Sequence, residues 1–360
     1  MQQQEPSHRI ERYDTIVIGA GQAGLAAGYE LQQRDADFLI LESGTRIGES
    51  WRRRWDSLRL FTPAKYNSLP GMPFPATKSQ FPSKDQVADY LECYAARFEL
   101  PVRFGMRVQS LGQSGGRYLI VAGGRRFEAS NVVVATGPFQ EPRTPAFSAD
   151  LSPQIQQLHS SEYVNPHFLR DGPVLVVGGG NSGTQIAMEL ARFRQVWLAG
   201  EPTGRMPRAL LGRDLYDWTW PVLSRLTVEG VAGRALESRY RSGDPLIGVS
   251  ESALVAAGVT RVGRMSAVNQ GLPVCDAAAL SPSVVIWATG FGPAYDWIQL
   301  PVFNDDGSVR HQLGVATDVT GLYFLGLRFQ RTYTSALIGG VGSDAALVAE
   351  QIAGPSLTAN

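Results

Sequence analysis

Residues 14–24 read DTIVIGAGQAG, and residues 173–183 read PVLVVGGGNSG. Each is an apolar, β-branched run closing on glycines spaced G-x-G-x-x-G. A short continuous apolar run bounded by glycine is the pattern of a strand buried on both faces, as in a parallel sheet. The first glycine of the motif permits a tight turn, the second lets a pyrophosphate approach the backbone, and the third lets helix and strand pack closely. The helix that follows points its positive dipole end at the phosphates. Helix-forming stretches follow both turns, at residues 25–34 and 184–193. Apolar strands come next, at residues 37–41 and 195–199. One such match is a weak signal, but two in register within one chain are an internal duplication of strand–turn–helix–strand logic. The expected fold class is therefore α/β, with two Rossmann-like dinucleotide-binding domains.

Further outward, Glu42 closes the first unit about 20 residues after the glycine turn, where an acidic side chain accepts from ribose hydroxyls. Ala-Thr-Gly occurs twice, at 135–137 and 288–290, each time ending an apolar strand (residues 131–135 and 283–287). This repetition, in step with the glycine turns, suggests the chain leaving a nucleotide-binding strand for the other domain. Between the strands, a Pro-, Gly- and aromatic-rich loop covers residues 44–82. Ser83 is a natural N-cap for a helix over 83–99, and short strands are expected at 103–108, 118–121 and 125–128. Residues 205–250 are aromatic and poorly periodic. Residues 321–326 read as a last strand and 334–353 as a closing helix.

The 360 residues are 44% hydrophobic and 18% charged, the composition of an ordinary globular chain long enough for about two domains. With 33 basic and 33 acidic residues, formal net charge is zero, which argues against a nucleic-acid partner. Two distant cysteines, Cys93 and Cys275, supply neither a disulfide framework, a metal site nor a C-x-x-C pair. No apolar run reaches the roughly 18 residues of a membrane span. The polar residues 1–12 read as a disordered lead-in and the cytoplasm as the expected compartment.

The order GAGQAG, IGESW, ATG, HSSEY, VGGGNSG, ATGF, GLYFLG, SALIGGVGSDA resembles the class B flavoprotein monooxygenases. These comprise flavin-containing monooxygenases, plant auxin-forming relatives and, more distantly, Baeyer–Villiger enzymes; the compact bacterial flavin-containing members are the most alike. The resemblance implies FAD at the first glycine turn, NAD(P)H at the second, and the flavin ring between them. It divides the chain into a FAD-binding domain (13–165 with 285–360) and an NAD(P)H-binding domain (166–284) inserted into it. For FAD it implicates Gly19, Gly21, Gln22, Ala23, Gly24, Glu42, Ser43, Gly48, Ser50 and Trp51. Val108 would lie at the adenine, and Ala135, Thr136 and Gly137 at the domain crossing. For the nicotinamide coenzyme it implicates Gly178, Gly180, Asn181, Ser182 and Gly183, with Ala288, Thr289 and Gly290 at the second crossing. Thr334 and Ser335 would open the closing helix against the flavin pyrimidine.

The implied chemistry is an NAD(P)H-driven monooxygenation through a C4a-(hydro)peroxyflavin. Dioxygen and a small sulfide or amine are the reactants, a ketone is an option, and a homodimer is a candidate assembly. The residues placed nearest the chemistry are Phe61, Thr62, His159, Tyr163 and Asn181. Three departures stand out. The family fingerprint F-x-G-x-x-x-H-x-x-x-(F/Y/W) keeps His159 and Tyr163 but has Pro153 and Ile155 at its first two positions. His159 itself reads as readily as a hydrogen bonder at the domain interface. Phe61 stands where many relatives carry an Asn beside the flavin; it has neither donor nor acceptor, so a leaky oxygenase, or an NAD(P)H oxidase that makes only hydrogen peroxide, is the competing expectation. Glu201 occupies in the second unit the place of Glu42, which favours a free ribose 2′-hydroxyl over a 2′-phosphate; Arg205 and Arg208 are candidates to restore positive charge there.

Overall fold

The computed structural model describes residues 10–201, 204–240 and 243–354. The first sheet is built from β1 (Ile10–Ile18), β2 (Phe38–Leu41), β3 (Val102–Arg103), β4 (Val108–Ser114), β5 (Arg117–Ala122) and β6 (Arg125–Val134). β6, β1, β2 and β3 run parallel in that order, and β4 and β5 form an antiparallel flap on β6. Side chains alternate across the sheet with the strand period of two. Val17, Ile40 and Val133 face α1 (Gln22–Gln32) and α2 (Lys84–Arg97), while Ile16, Leu39, Val132 and Val134 face the opposite core. α2 starts where its capping box predicts: the Ser83 hydroxyl accepts from the Gln86 amide and the Gln86 side chain accepts from the Ser83 amide.

A second parallel sheet follows, from β7 (Gln156–His159), β8 (Val174–Val177), β9 (Val196–Ala199), β10 (Val259–Val262) and β11 (Val284–Trp287), in the order β10-β9-β8-β11-β7. α3 (Asn181–Leu190) packs on it through Ile186, Ala187 and Leu190. α4 (Leu215–Leu223) lies in the aromatic segment. β12 (Leu322–Phe324) then rejoins the first sheet beside β6, and the closing helix Val341–Ala353 packs on the same core as α1. All five strands of the second sheet therefore lie between β6 and β12 in the chain. The chain passes between the sheets twice. The two passages pair as a short antiparallel ribbon, Phe291 opposite Pro142 and Gly292 opposite Glu141.

Three expectations are corrected. β7 and β11 belong to the second sheet, so its strands begin before residue 166 and extend past 284; β11 is an interior strand between β8 and β7, with Val284 and Ile286 buried beside Val174 and Val176. Residues 1–9 lie outside the described residues, but Ile10, Glu11 and Arg12, expected to be disordered, extend β1 along Arg126, Phe127 and Glu128. Ion pairs from Glu11 to Arg103 and Arg125, and from Arg12 to Glu128, hold that edge. The closing helix begins at Val341 rather than at 334. No helix among the described residues is long and apolar enough to cross a membrane, and no group of three or more metal-ligating side chains occurs among them.

Candidate functional site

The two glycine turns are built alike. A Cβ on Gly19, whose φ is +104°, would meet the Ala135 carbonyl oxygen at 2.8 Å; one on Gly178, φ +124°, would overlap the Ala288 carbonyl. This is the physical reason for the paired Ala-Thr-Gly motifs: each alanine carbonyl backs the first glycine of a turn. A Cβ on Gly24 would overlap the Gly19 carbonyl, and one on Gly183 the Gly178 carbonyl. The third glycine of each turn thus seats its helix on the turn. Gly21 and Gly180, by contrast, face open space, with nothing within 4 Å of a Cβ. Glu42 braces the first turn by accepting from the Ala20 amide at 2.8 Å and the Gly44 amide at 2.7 Å.

One cavity of about 470 Å³ joins the two turns. Gly19, Gly21, Gln22, Ala23, Glu42, Ser43, Gly48, Ser50 and Trp51 line it from the first unit, with Ala135, Thr136 and Gly137 at the crossing. Asn181 and Ser182 line it from the second. Phe61 and Thr62 also form its wall. The Phe61 ring stacks on Tyr216 at 6.3 Å, and the Thr62 hydroxyl donates to Asn67, which in turn donates to the Thr62 and Pro63 carbonyls. Asn181 is engaged: its Nδ2 donates to the Pro245 carbonyl at 3.0 Å and its Oδ1 accepts from the Ile247 amide at 3.2 Å.

Several expected site residues lie elsewhere. His159 is buried outside the cavity wall; its Nε2 pairs with the Gly290 carbonyl at 3.1 Å and its Nδ1 with the Ser161 hydroxyl at 2.8 Å. Burial pushes its pKa below the usual histidine value. It braces the crossing, as the interface reading of the sequence expected. Tyr163 is fully buried, and its hydroxyl donates to Glu189 at 2.9 Å. Neither reaches the cavity. Val108 opens β4 opposite Ala122 and is also absent from the wall. Thr334 and Ser335 sit in a buried turn where the Ser335 hydroxyl accepts from the Arg331 and Thr332 amides. Their neighbours Tyr333, Ala336, Leu337 and Ile338 meet the cavity in their place. Ala288, Thr289 and Gly290 are structural at the crossing, Thr289 bonding to the Arg143 carbonyl.

Glu201 is exposed, and its carbonyl oxygen lies 2.8 Å from where a Cβ on Gly179 would stand. The two arginines offered as its counter-charges are committed elsewhere: Arg205 to Glu251 at 2.9 Å, and Arg208 to the Phe61 carbonyl at 2.7 Å and the Phe81 ring. Sequence reasoning missed Arg54, Asn67, Asp244 and Arg328, all on the cavity wall. Asp244 and Arg328 pair across it at 2.8 Å. Loops bring these four together, and no local periodicity marks them.

Residues 16–209 match the pyridine nucleotide-disulphide oxidoreductase family model. An uncharacterized oxidoreductase, CzcO-like, of Geobacillus kaustophilus (strain HTA426) is 42% identical over 92% of this chain and 96% of its own. Uncharacterized oxidoreductase CzcO of Bacillus subtilis (strain 168) is 40% identical over 95% and 99%. Among solved structures, the flavin-containing monooxygenase of Stenotrophomonas maltophilia superposes with a TM-score of 0.78 at 29% identity, covering 95% of this chain and 98% of that one. The chain belongs to the pyridine nucleotide-disulphide oxidoreductase family and, with these relatives, is an oxidoreductase of the kind that includes bacterial flavin monooxygenases.

Proposed function

We propose that this chain is an FAD-dependent, NAD(P)H-consuming monooxygenase acting on a small nucleophilic substrate, a sulfide or an amine, with ketone oxidation a further option. One observation carries the reading: a single cavity is lined by the first glycine turn and by Asn181 and Ser182 of the second motif, so a flavin on the first and a nicotinamide on the second would share it. The residues fit the two groups. Gly21 and Gly180 leave open the space a pyrophosphate needs against the backbone, and Glu42 stands at the ribose end of the first turn. The first sheet with its helices is the FAD-binding unit and the second the NAD(P)H-binding unit, each Rossmann-like. Bound FAD would supply a hydride acceptor that, once reduced, activates dioxygen.

The protein's own part is positioning and dryness. The amide ends of α1 and α3 receive the phosphates. Residues 336–338 line the cavity, and Phe61, backed by the Tyr216 ring, and Tyr333 exclude water from this end of it. With Arg205 and Arg208 engaged, and Arg261 held by the Gly200 carbonyl and Glu251, no cation among the described residues pairs with the Glu201 carboxylate, and NADH is accepted alongside NADPH. Glu201→Arg tests this as a shift of kcat/KM toward NADPH. The oxidase reading has its own observation: Phe61 lines the wall, and its side chain offers no hydrogen bond. A disulfide relay has no cysteine pair, since Cys93 is exposed and Cys275 buried, both free.

The deciding experiment measures coenzyme oxidation and hydrogen peroxide release with and without an aryl methyl sulfide. Sulfoxide formed at the expense of peroxide supports the monooxygenase. Peroxide unchanged by the sulfide and by amines supports the oxidase, and protein that takes up no FAD refutes both.

A further inference from the structure

The segment carrying Trp51 is dense in cations, and nearly all are matched. Arg46 pairs with Glu92 at 2.7 Å, Arg52 with Asp89 at 2.7 Å and Glu92 at 2.9 Å, Arg53 with Glu49, and Lys84 with Asp85 at 3.1 Å. Arg54 differs. Among the described residues no carboxylate or carbonyl accepts from its guanidinium. Its backbone is pinned by a 3.0 Å bond from its amide to the Trp51 carbonyl, and its side chain lies on the cavity wall over the Phe291 ring, 5.3 Å from the centroid. Burial lowers its pKa from the usual arginine value, yet a guanidinium does not lose its proton in a protein. A half-buried cation without a counter-charge is costly to keep. Mismatches of this kind concentrate at functional sites, where a ligand completes them.

The missing anion belongs on the side of the second dinucleotide. Phe291 directly follows Gly290 and lies three residues beyond Ala288, whose carbonyl backs Gly178. The Arg54 charge also helps hold down the pKa of His159, which is bonded to that same Gly290. Arg54 therefore stands where the chain leaves the second sheet, beside the path from the α3 terminus toward the flavin side.

We propose that Arg54 is a coenzyme-binding residue, its guanidinium taking a phosphate of the pyridine nucleotide as the nucleotide crosses from the second glycine turn to the first unit. This rests on the coenzyme site proposed above. Phe291 holds the cation over its ring, and a guanidinium offers paired N–H groups to two phosphate oxygens. The pair would be preformed, since the cation needs no partner displaced.

The test uses the FAD-loaded protein and ADP-ribose, which carries the pyrophosphate but no nicotinamide, titrated by calorimetry. Arg54→Met is expected to weaken ADP-ribose about 10- to 100-fold, the range for a charge-assisted hydrogen bond. FAD content per chain should be unchanged and the melting temperature equal or higher, because a half-buried charge is gone. Arg54→Lys should recover part of the affinity, keeping the charge but not the fork. An Arg54→Met protein that binds ADP-ribose within twofold of the parent overturns the assignment. So does one whose FAD content falls while ADP-ribose affinity holds, which would give the guanidinium to the flavin's own phosphates. A parent protein that holds FAD yet does not bind ADP-ribose overturns the coenzyme site itself and this residue's role with it.

Discussion

Substituting Gly21 with alanine should separate folding from cofactor binding. Gly21 is the N-cap of α1, with φ −75° and ψ −174°, an extended conformation any residue adopts, and its Cβ would touch nothing within 4 Å. Two small terms act on the apo-protein. Restricting the unfolded chain stabilises by about 0.4–1 kcal/mol, while alanine is a poorer N-cap than glycine by a similar amount, about 0.5–1 kcal/mol. They nearly cancel, so flavin-free Gly21→Ala should melt with the flavin-free parent. The added methyl nevertheless fills the space in which a pyrophosphate would meet the backbone. Loss of one charge-assisted hydrogen bond costs about 1.5–3 kcal/mol, a factor of about 10–100 in FAD affinity. Gly24→Ala is the contrast. Its Cβ overlaps the Gly19 carbonyl, a backbone atom that cannot swing away, so overpacking of about 1–3 kcal/mol or more falls on folding itself. The assay is thermal unfolding of stripped protein, then titration back to flavin saturation followed by visible absorbance. A Gly21→Ala protein that melts several degrees lower, or that rebinds FAD with parental affinity, refutes the reasoning.

Three further outcomes follow from residues placed above. Tyr163→Phe removes a buried donor from Glu189 and should cost about 1–2 kcal/mol in urea titrations; turnover per folded molecule should stay unchanged, and a fall in turnover would return Tyr163 to the chemistry. His159 has its folded pKa lowered by burial below 6.5; its contribution is complete above that pH and is lost as pH falls through the lowered folded value, because the unfolded chain takes up the proton first. In His159→Asn the stability–pH curve should be flatter over that acid range, His311, also lowered by burial, retaining the rest of the slope; an identical slope in thermal melts would count against this account. Phe61→Asn adds a donor and acceptor at the cavity wall and should lower peroxide released per coenzyme oxidised when substrate is present; an unchanged ratio would remove Phe61 from any role in the leak.

The parts legible in sequence are those whose physics is local. Glycines at 19, 21 and 24, and again at 178, 180 and 183, state turn, open approach and close packing within a few residues, and both turns of the structure show these three environments. Glu42 stands beside the first turn as its spacing expects, but its bonds to the Ala20 and Gly44 amides are contacts that spacing does not state. The sheet to which a strand belongs is not local: residues 156–159 carry no mark that they will pair with residues 284–287. The closing helix was overextended because Thr334 and Ser335 sit beside a helical pattern, yet their hydroxyls serve the preceding turn. Gly339 lies so close to the Tyr66 carbonyl that a side chain could not fit there. His159 and Tyr163 look like a reactive fingerprint when spelled in a line; folded, each turns away from the cavity toward its own partner. Arg54 could not have been singled out from the run of arginines around it, since its distinction is the absence of a carboxylate in space.

The paired passages at Pro142 and Phe291 give the molecule a particular mechanics. A module joined to its host by a single thread can swivel in any direction, whereas one joined by two strands laced edge to edge keeps chiefly a torsion about the lace. The Arg143 amide on the Gly290 carbonyl and the Gln140 side chain on the Ala294 amide tighten that lace on both sides. Trp55 and Leu58, buried in the core of the second sheet, add a further hold beside the lace and narrow that torsion.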